Sequence, residues 1–161
     1  MNHRHYIQLC LISLFVITSC GKKEQQSDSF DINSKSANPK LEVENASTRI
    51  DLESTGVGPI QSLELPDTID QALALSGKHV YEANCTICHK PTEKFIGPAP
   101  KGILERRTPE WVMNMILNPE KMLKEDALAK ELFIEFNGSP MANQNLSETQ
   151  ARAILEYFRT L

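Results

Sequence analysis

Cys85-Thr86-Ile87-Cys88-His89 decides how the rest of the chain is read. At this spacing one helical turn carries two sulfurs past one edge of a haem, where they can bond covalently to its vinyl groups. The adjacent imidazole is left facing the iron. The motif predicts Cys85 and Cys88 as thioether donors and His89 as an axial ligand. Two other chemistries use paired cysteines. A thioredoxin-like redox pair belongs in a βαβ pattern, and none is visible. A structural zinc site takes four protein ligands, and the only other cysteines, Cys10 and Cys20, fall in a stretch that reads as a targeting signal.

That stretch sets the compartment. Asn2-His3-Arg4-His5 is a short basic start, Ile7 to Ile17 is mostly apolar, and Ile17-Thr18-Ser19-Cys20 places small residues before a cysteine, as at signal cleavage sites. The pattern resembles a bacterial lipoprotein signal, with residues 1–19 removed and Cys20 becoming the lipidated first residue. The competing reading is an uncleaved membrane-spanning helix, but the apolar run is about eleven residues where a span needs about twenty. Cys10 leaves with the signal, so no disulfide framework remains. The expected location is the periplasmic or extracytoplasmic side of a membrane.

From residue 20 to residue 66 the chain is rich in Lys, Glu, Gln, Ser, Asn and Asp and keeps no sustained period of 3.6 or 2. It reads as a flexible tether, because it carries too little apolar surface to offset its ordering entropy. The alternations Thr48-Arg49-Ile50-Asp51-Leu52 and Leu63-Glu64-Leu65 leave open a strand-like or domain-wrapping role. The net charge of -4 argues for no nucleic-acid partner and for no electrostatic attachment to an anionic surface.

Residues 67–161 form one domain with helical periodicity. Ile69, Ala72, Leu73, Val80 and Tyr81 lead a helix into the Cys-x-x-Cys-His motif, with Asp67 or Asp70 as N-cap. Thr108-Pro109-Glu110 starts another, with Trp111, Val112, Met115 and Ile116 as its apolar stripe, and Asn118-Pro119 ends it. Leu128, Leu132, Phe133 and Phe136 mark a third, closed by Asn137-Gly138. Ser147 and Gln150 form a capping box ahead of Ala151, Ile154, Leu155 and Phe158. The fold class expected is all-α, a small helical domain packed around one covalently bound haem, which supplies apolar surface that so short a chain lacks.

The sixth ligand to iron separates a carrier from an enzyme. His79 lies on the helix leading into the motif, where reaching the far haem face is difficult, and reads as a surface residue. Met115 shares the Trp111 stripe and reads as core; Met113 lies off that stripe and reads as exposed. Met141 follows Pro140 in a loop far in sequence from His89, which makes it the favoured ligand, with Met122 as the alternative. A thioether there raises the reduction potential relative to a second histidine, and protein ligands on both faces leave no substrate site.

Gly77, Tyr81, Cys85, Cys88 and His89, then Gly97-Pro98, then Pro140-Met141 with Leu146-Ser147 and Tyr157, together resemble the small monohaem cytochromes c. The resemblance covers roughly the last three-fifths of the chain. It implies that Gly77 lets the first and last helices cross closely. It also implies that the Pro98 carbonyl accepts a hydrogen bond from the proximal histidine, and that Met141 is the axial methionine. Lys90, where the family often has glycine, and a longer segment from Met122 to Phe136 depart from the pattern and bear on loop geometry. Gly97 to Gly102, Glu105-Arg106-Arg107 and Asn118-Pro119-Glu120 further resemble lipoprotein cytochromes that accompany nitrous oxide reductase. The function implied is a monomeric, membrane-tethered carrier of single electrons with one haem c. A quinol-oxidising complex would be its donor, and that reductase or a terminal oxidase its acceptor. A haem-based sensor or a peroxidase-like enzyme is the alternative and would need a labile Met141, although no distal His or Arg for peroxide chemistry stands out.

Overall fold

The computed structural model describes residues 44–161, so the expected signal, Cys20 and the tether up to residue 43 lie outside the described residues. Five α-helices follow in order: α1 Gln71–Asn84, α2 Pro109–Leu117, α3 Pro119–Glu125, α4 Ala127–Glu135 and α5 Glu148–Phe158, with a 3-10 turn at Ile103–Glu105. Among the described residues there is no strand, only one parallel bridge between Asp51 and Arg107.

Each helix starts where a short polar side chain can take up free backbone N–H groups. Asp70 accepts from Ala72 and Leu73 ahead of α1, Thr108 from Trp111 ahead of α2, and Asp126 from Ala129 ahead of α4. Ser147 and Gln150 complete a reciprocal box at α5. After α4 the chain turns through two left-handed residues, Asn137 at φ 58° and Gly138 at φ 71°. Asn118-Pro119 ends α2 and also begins α3: the Asn118 side chain accepts from the Lys121 N–H, and Pro119 occupies the first helical position. The pair read as a helix end is thus also the start of a further helix.

α1 and α5 cross at Gly77. A Cβ at that position would lie 1.8 Å from the Ala153 carbonyl oxygen, so only glycine permits the contact. One turn along, Tyr81, Tyr157 and Phe158 pack with ring centroids 5.4 to 6.1 Å apart, within the range where aromatic pairs attract. The crossing is closed at its other end by Glu156, which is 1% exposed. Its carboxylate accepts from the Asp70 N–H at 2.8 Å and from Arg152 and Arg159, while Arg159 also donates to the Pro66 and Asp67 carbonyls. Burial pushes the Glu156 carboxyl upward, but the Asp70 N–H and the two guanidinium groups outweigh it and hold the group below the ordinary carboxylate range. A depressed folded-state value contributes stability above the unfolded value of about 4.3, and that contribution disappears as pH falls through the folded value. Glu156→Gln is therefore expected to destabilise by about 3 kcal/mol near neutrality. The gap to wild type should narrow as urea midpoints are followed from pH 6 down through pH 4; a constant gap would refute the account.

Residues 44–66 correct the tether expectation over that interval. They run as a strap over the domain, so the folded unit extends back at least to residue 44 rather than beginning at 67. Ala46 is part of the core and Val57, Ile60, Leu63 and Leu65 pack against it, and the strap is held by its backbone as well. Asn114, 0% exposed on α2, accepts from the Ile60 N–H at 2.9 Å and donates to the Thr55 and Ile60 carbonyls. Glu110 accepts from the Leu63 N–H at 2.7 Å, and Thr108 donates to the Ser54 carbonyl at 2.6 Å. These hydrogen bonds add to that apolar packing against the core. They also explain why α2 buries Trp111, Val112, Met113 and Asn114 consecutively: the strap covers a face that would otherwise meet water. Met113, expected to be exposed, is 2% exposed for this reason.

Candidate functional site

Helix α1 ends at Asn84 with Cys85 as its C-cap, and the chain continues for one more turn. The Cys88 and His89 N–H groups both return to the Cys85 carbonyl, at 3.1 and 2.9 Å. That turn brings Cys85, Cys88 and His89 onto one wall of an apolar cleft. Tyr81, 1% exposed, donates its hydroxyl to the His89 carbonyl at 2.8 Å and ties the motif to the α1–α5 crossing.

The imidazole is clamped from its other side. The Gly97 N–H donates to the Cys88 carbonyl at 2.8 Å, folding residues 95–98 against the ring. A Cβ on Gly97 would lie 2.4 Å from His89 Cε1, so the loop passes the imidazole where no larger residue fits. His89 Nδ1 stands 2.8 Å from the Pro98 carbonyl oxygen. A carbonyl only accepts, so Nδ1 carries the proton and Nε2 keeps the lone pair that a metal needs.

Burial, and then the neighbouring Cys88, push the Cys85 thiol up to about 11. A thiol so protonated is a poor redox nucleophile, which weighs against a thioredoxin-like role. Among the described residues there is no group of three or more His, Cys, Asp or Glu side chains that could hold a metal ion.

The far wall comes from α2, α4 and the loop before α5. Trp111 and Met115 contribute from α2, Leu132 and Phe133 from α4, and Met141 from the loop. Met141 is half-buried. Met122 is not in the cleft: it is 0% exposed, and its sulfur accepts from the Val57 N–H of the strap at 3.0 Å. His79 is exposed on α1, away from the cleft. The structure thus gathers Cys85, Cys88, His89, Pro98 and Met141 around one space and leaves Met115 as the other thioether there.

Arg106 and Arg107 also line the cleft and went unread as site residues. Their Nη groups are spent on backbone carbonyls, Arg106 on those of Ala99, Lys101 and Gly102, and Arg107 on those of Ala46, Arg49 and Arg106. Both Nε–H groups are buried without a partner. Burial pulls both guanidinium groups below their ordinary range, and for Arg107 the adjacent Arg106 adds to it, although guanidinium groups stay charged in proteins. An adjacent arginine pair just before an N-capped apolar helix was the available signal. An apolar slot with two thiols and a free imidazole nitrogen, edged by two arginines, fits haem, whose apolar ring carries two carboxylates.

An all-helical domain with such a slot defines a haem-based electron-transfer protein. The cytochrome c family model matches residues 74–161, and the chain belongs to that family. It is a haem-based electron carrier, with one covalently bound haem c as cofactor. Among solved structures it is similar to a cytochrome c from Rhodothermus marinus, at 44% identity and a TM-score of 0.62, with 64% of this chain and 88% of that one covered. It is also similar to an engineered form of the same cytochrome, at 43% identity and a TM-score of 0.61, covering 64% of this chain and 89% of that one. A further structure, of the engineered form described as bound to a carbene intermediate, matches at 43% identity and a TM-score of 0.59, covering 64% and 88%. The chain matches no curated protein sequence.

Proposed function

We propose that the protein is a membrane-tethered, extracytoplasmic carrier that passes single electrons between respiratory partners, with His89 and Met141 as the two axial ligands. The observation that carries this reading is the joint presence of the Cys85/Cys88/His89 wall and Met141 in one apolar cleft. The bound haem supplies an iron that alternates between ferrous and ferric. Cys85 and Cys88 hold it through thioethers. The Pro98 carbonyl fixes the His89 tautomer and strengthens Nε2 as a donor. Met141 favours the reduced state, and Trp111, Leu132 and Phe133 keep water from the ring.

Cys20 would carry the lipid, and the residues between it and the strap would be the tether. A quinol-oxidising complex is the proposed donor; nitrous oxide reductase or a terminal oxidase is the proposed acceptor. No helix among the described residues is long and apolar enough to cross a membrane.

Intact-mass spectrometry of the purified holoprotein tests attachment and anchoring together. A denatured chain that retains one haem and begins at a diacylglyceryl-modified Cys20 is expected. Haem lost on denaturation would refute the thioethers, and an unmodified chain starting at Met1 would refute the lipid anchor. The intermediate bound by the engineered relative favours a second reading, a labile methionine that admits external ligands. Ferrous wild-type protein that binds carbon monoxide readily would select that reading over the carrier.

A further inference from the structure

Tyr81 brings a hydroxyl into the α1–α5 crossing, where its ring alone would fill the space. The residue is 1% exposed, with the Tyr157 ring centre 5.4 Å from its own and that of Phe158 at 5.6 Å, edge-on. Taking the hydroxyl out of water costs free energy that only a hydrogen bond offsets. The bond it makes is to the His89 carbonyl oxygen, 2.8 Å away, and among the described residues no other donor reaches that carbonyl. Burial, then Cys85 and then Tyr157, push the phenol well above its ordinary range, so it remains a donor at neutral and alkaline pH alike.

That bond completes the hold on His89. Its N–H donates to the Cys85 carbonyl at 2.9 Å, its own carbonyl accepts from Tyr81, and its Nδ1–H donates to Pro98 at 2.8 Å. The first two fix the backbone from which the ring projects, and the third fixes the ring. The Pro98 loop is fastened separately, by the Gly97 N–H on the Cys88 carbonyl. The bond from Nδ1–H to Pro98 therefore joins two bodies, the Cys85–His89 turn and the 95–98 loop. It stays short only while the turn stays where the helix crossing puts it, and the Tyr81 hydroxyl is the side-chain link between turn and crossing.

We propose that Tyr81 is a positioning residue for the iron: by holding the His89 carbonyl against the α1–α5 crossing, its hydroxyl keeps Nδ1–H seated on Pro98 and thereby holds the reduction potential down. A seated Nδ1–H makes Nε2 the stronger donor, and a stronger donor favours ferric iron. The inference rests on haem binding, and neither on the carrier reading nor on the identity of the sixth ligand, so it survives if the protein proves to be a sensor.

Potentiometric titration of the full-length holoprotein tests it, together with the deuterium exchange of His89 Nδ1–H followed by NMR in the ferrous state. Tyr81→Phe removes the hydroxyl and no ring volume. It should shift the ferrous–ferric equilibrium about threefold toward ferrous, equivalent to about 28 mV for one electron, and it should speed the Nδ1–H exchange. The direction separates positioning from packing. A domain that had merely loosened would admit water to the cleft, which favours the more highly charged ferric state and lowers the potential. Tyr157→Phe takes from the neighbouring ring a hydroxyl that makes no hydrogen bond to His89, and should leave both readings at wild type. A Tyr81→Phe potential that is unchanged or lower would overturn the proposal, as would an Nδ1–H that exchanges at the wild-type rate. Equal shifts in the two phenylalanine variants would assign the effect to the aromatic cluster and overturn the link through the His89 carbonyl. Failure of Tyr81→Phe to load haem would make the hydroxyl a folding element, and the proposal would fall with that result too.

Discussion

Gly77→Ala should lower the stability of the holoprotein by about 3 kcal/mol or more, and Gly77→Leu should prevent haem-loaded protein from accumulating. Helix propensity pulls the other way: replacing a helix-interior glycine by alanine gains about 1 kcal/mol where the site is open. Here it is closed. The new methyl would sit 1.8 Å from the Ala153 carbonyl oxygen, 2.3 Å from its carbon and 2.8 Å from the Ile154 nitrogen, all backbone atoms of α5 that no rotamer change can move. The helices must separate, which loosens the Tyr81–Tyr157–Phe158 cluster and, through the Tyr81 hydroxyl, the carbonyl of His89. Overpacking a tight core costs roughly 1–3 kcal/mol when side chains can adjust, and two fixed backbones put this case at or beyond the upper end. Against a total stability of about 5–15 kcal/mol, that loss is a large fraction. Urea midpoints of wild-type and variant holoprotein measure it; a Gly77→Ala protein as stable as wild type would show that α1 and α5 do not meet as closely as described.

The helices were legible where a cap and an apolar period coincide. Asp70, Thr108 with Pro109, and Ser147 with Gln150 each place a short acceptor ahead of a 3.6-residue stripe, and each starts a helix. Asn118-Pro119 shows how one signal carries two meanings: a proline that cannot continue α2 is well suited to the first position of α3, and the residue before it can cap. The strap was legible only as the domain-wrapping alternative that Thr48–Leu52 and Leu63–Leu65 left open, and for a different reason. Much of its binding is through backbone groups, and the partners that receive them, Arg107, Asn114 and Glu110, sit far along the sequence and follow no period. Of the cleft, the cysteine pair and His89 could be read from spacing alone. Arg106 and Arg107 could not, because nothing in a run of two arginines states that their Nη groups will be used up by carbonyls and their Nε groups left buried without a partner.

Met141→Ala is expected to abolish the ferric absorption band near the red edge of the spectrum, open the iron to carbon monoxide or cyanide, and lower the potential. The fall should be on the order of 0.1 V or more, within the ~0.8 V over which axial ligands set haem potentials. A thioether favours ferrous iron, whereas the water or hydroxide that replaces it does not. The competing thioethers separate by position. Met122 is excluded from the cleft and its sulfur already accepts from Val57, so Met122→Leu should leave band and ligand binding unchanged while costing stability. Met115 does line the cleft, but it stands one turn from Trp111 on α2, held to the helix wall. Met141 lies on a stretch without regular secondary structure between the left-handed Gly138 and Asn145, behind Pro140, where the backbone rather than a helix axis sets its reach. Met115→Leu should therefore keep the band. If Met115→Leu loses the band and Met141→Ala retains it, α2 supplies the ligand and the 138–146 loop is only a cover. If neither substitution alters the spectrum, methionine is not the sixth ligand and the two-ligand carrier model fails with it.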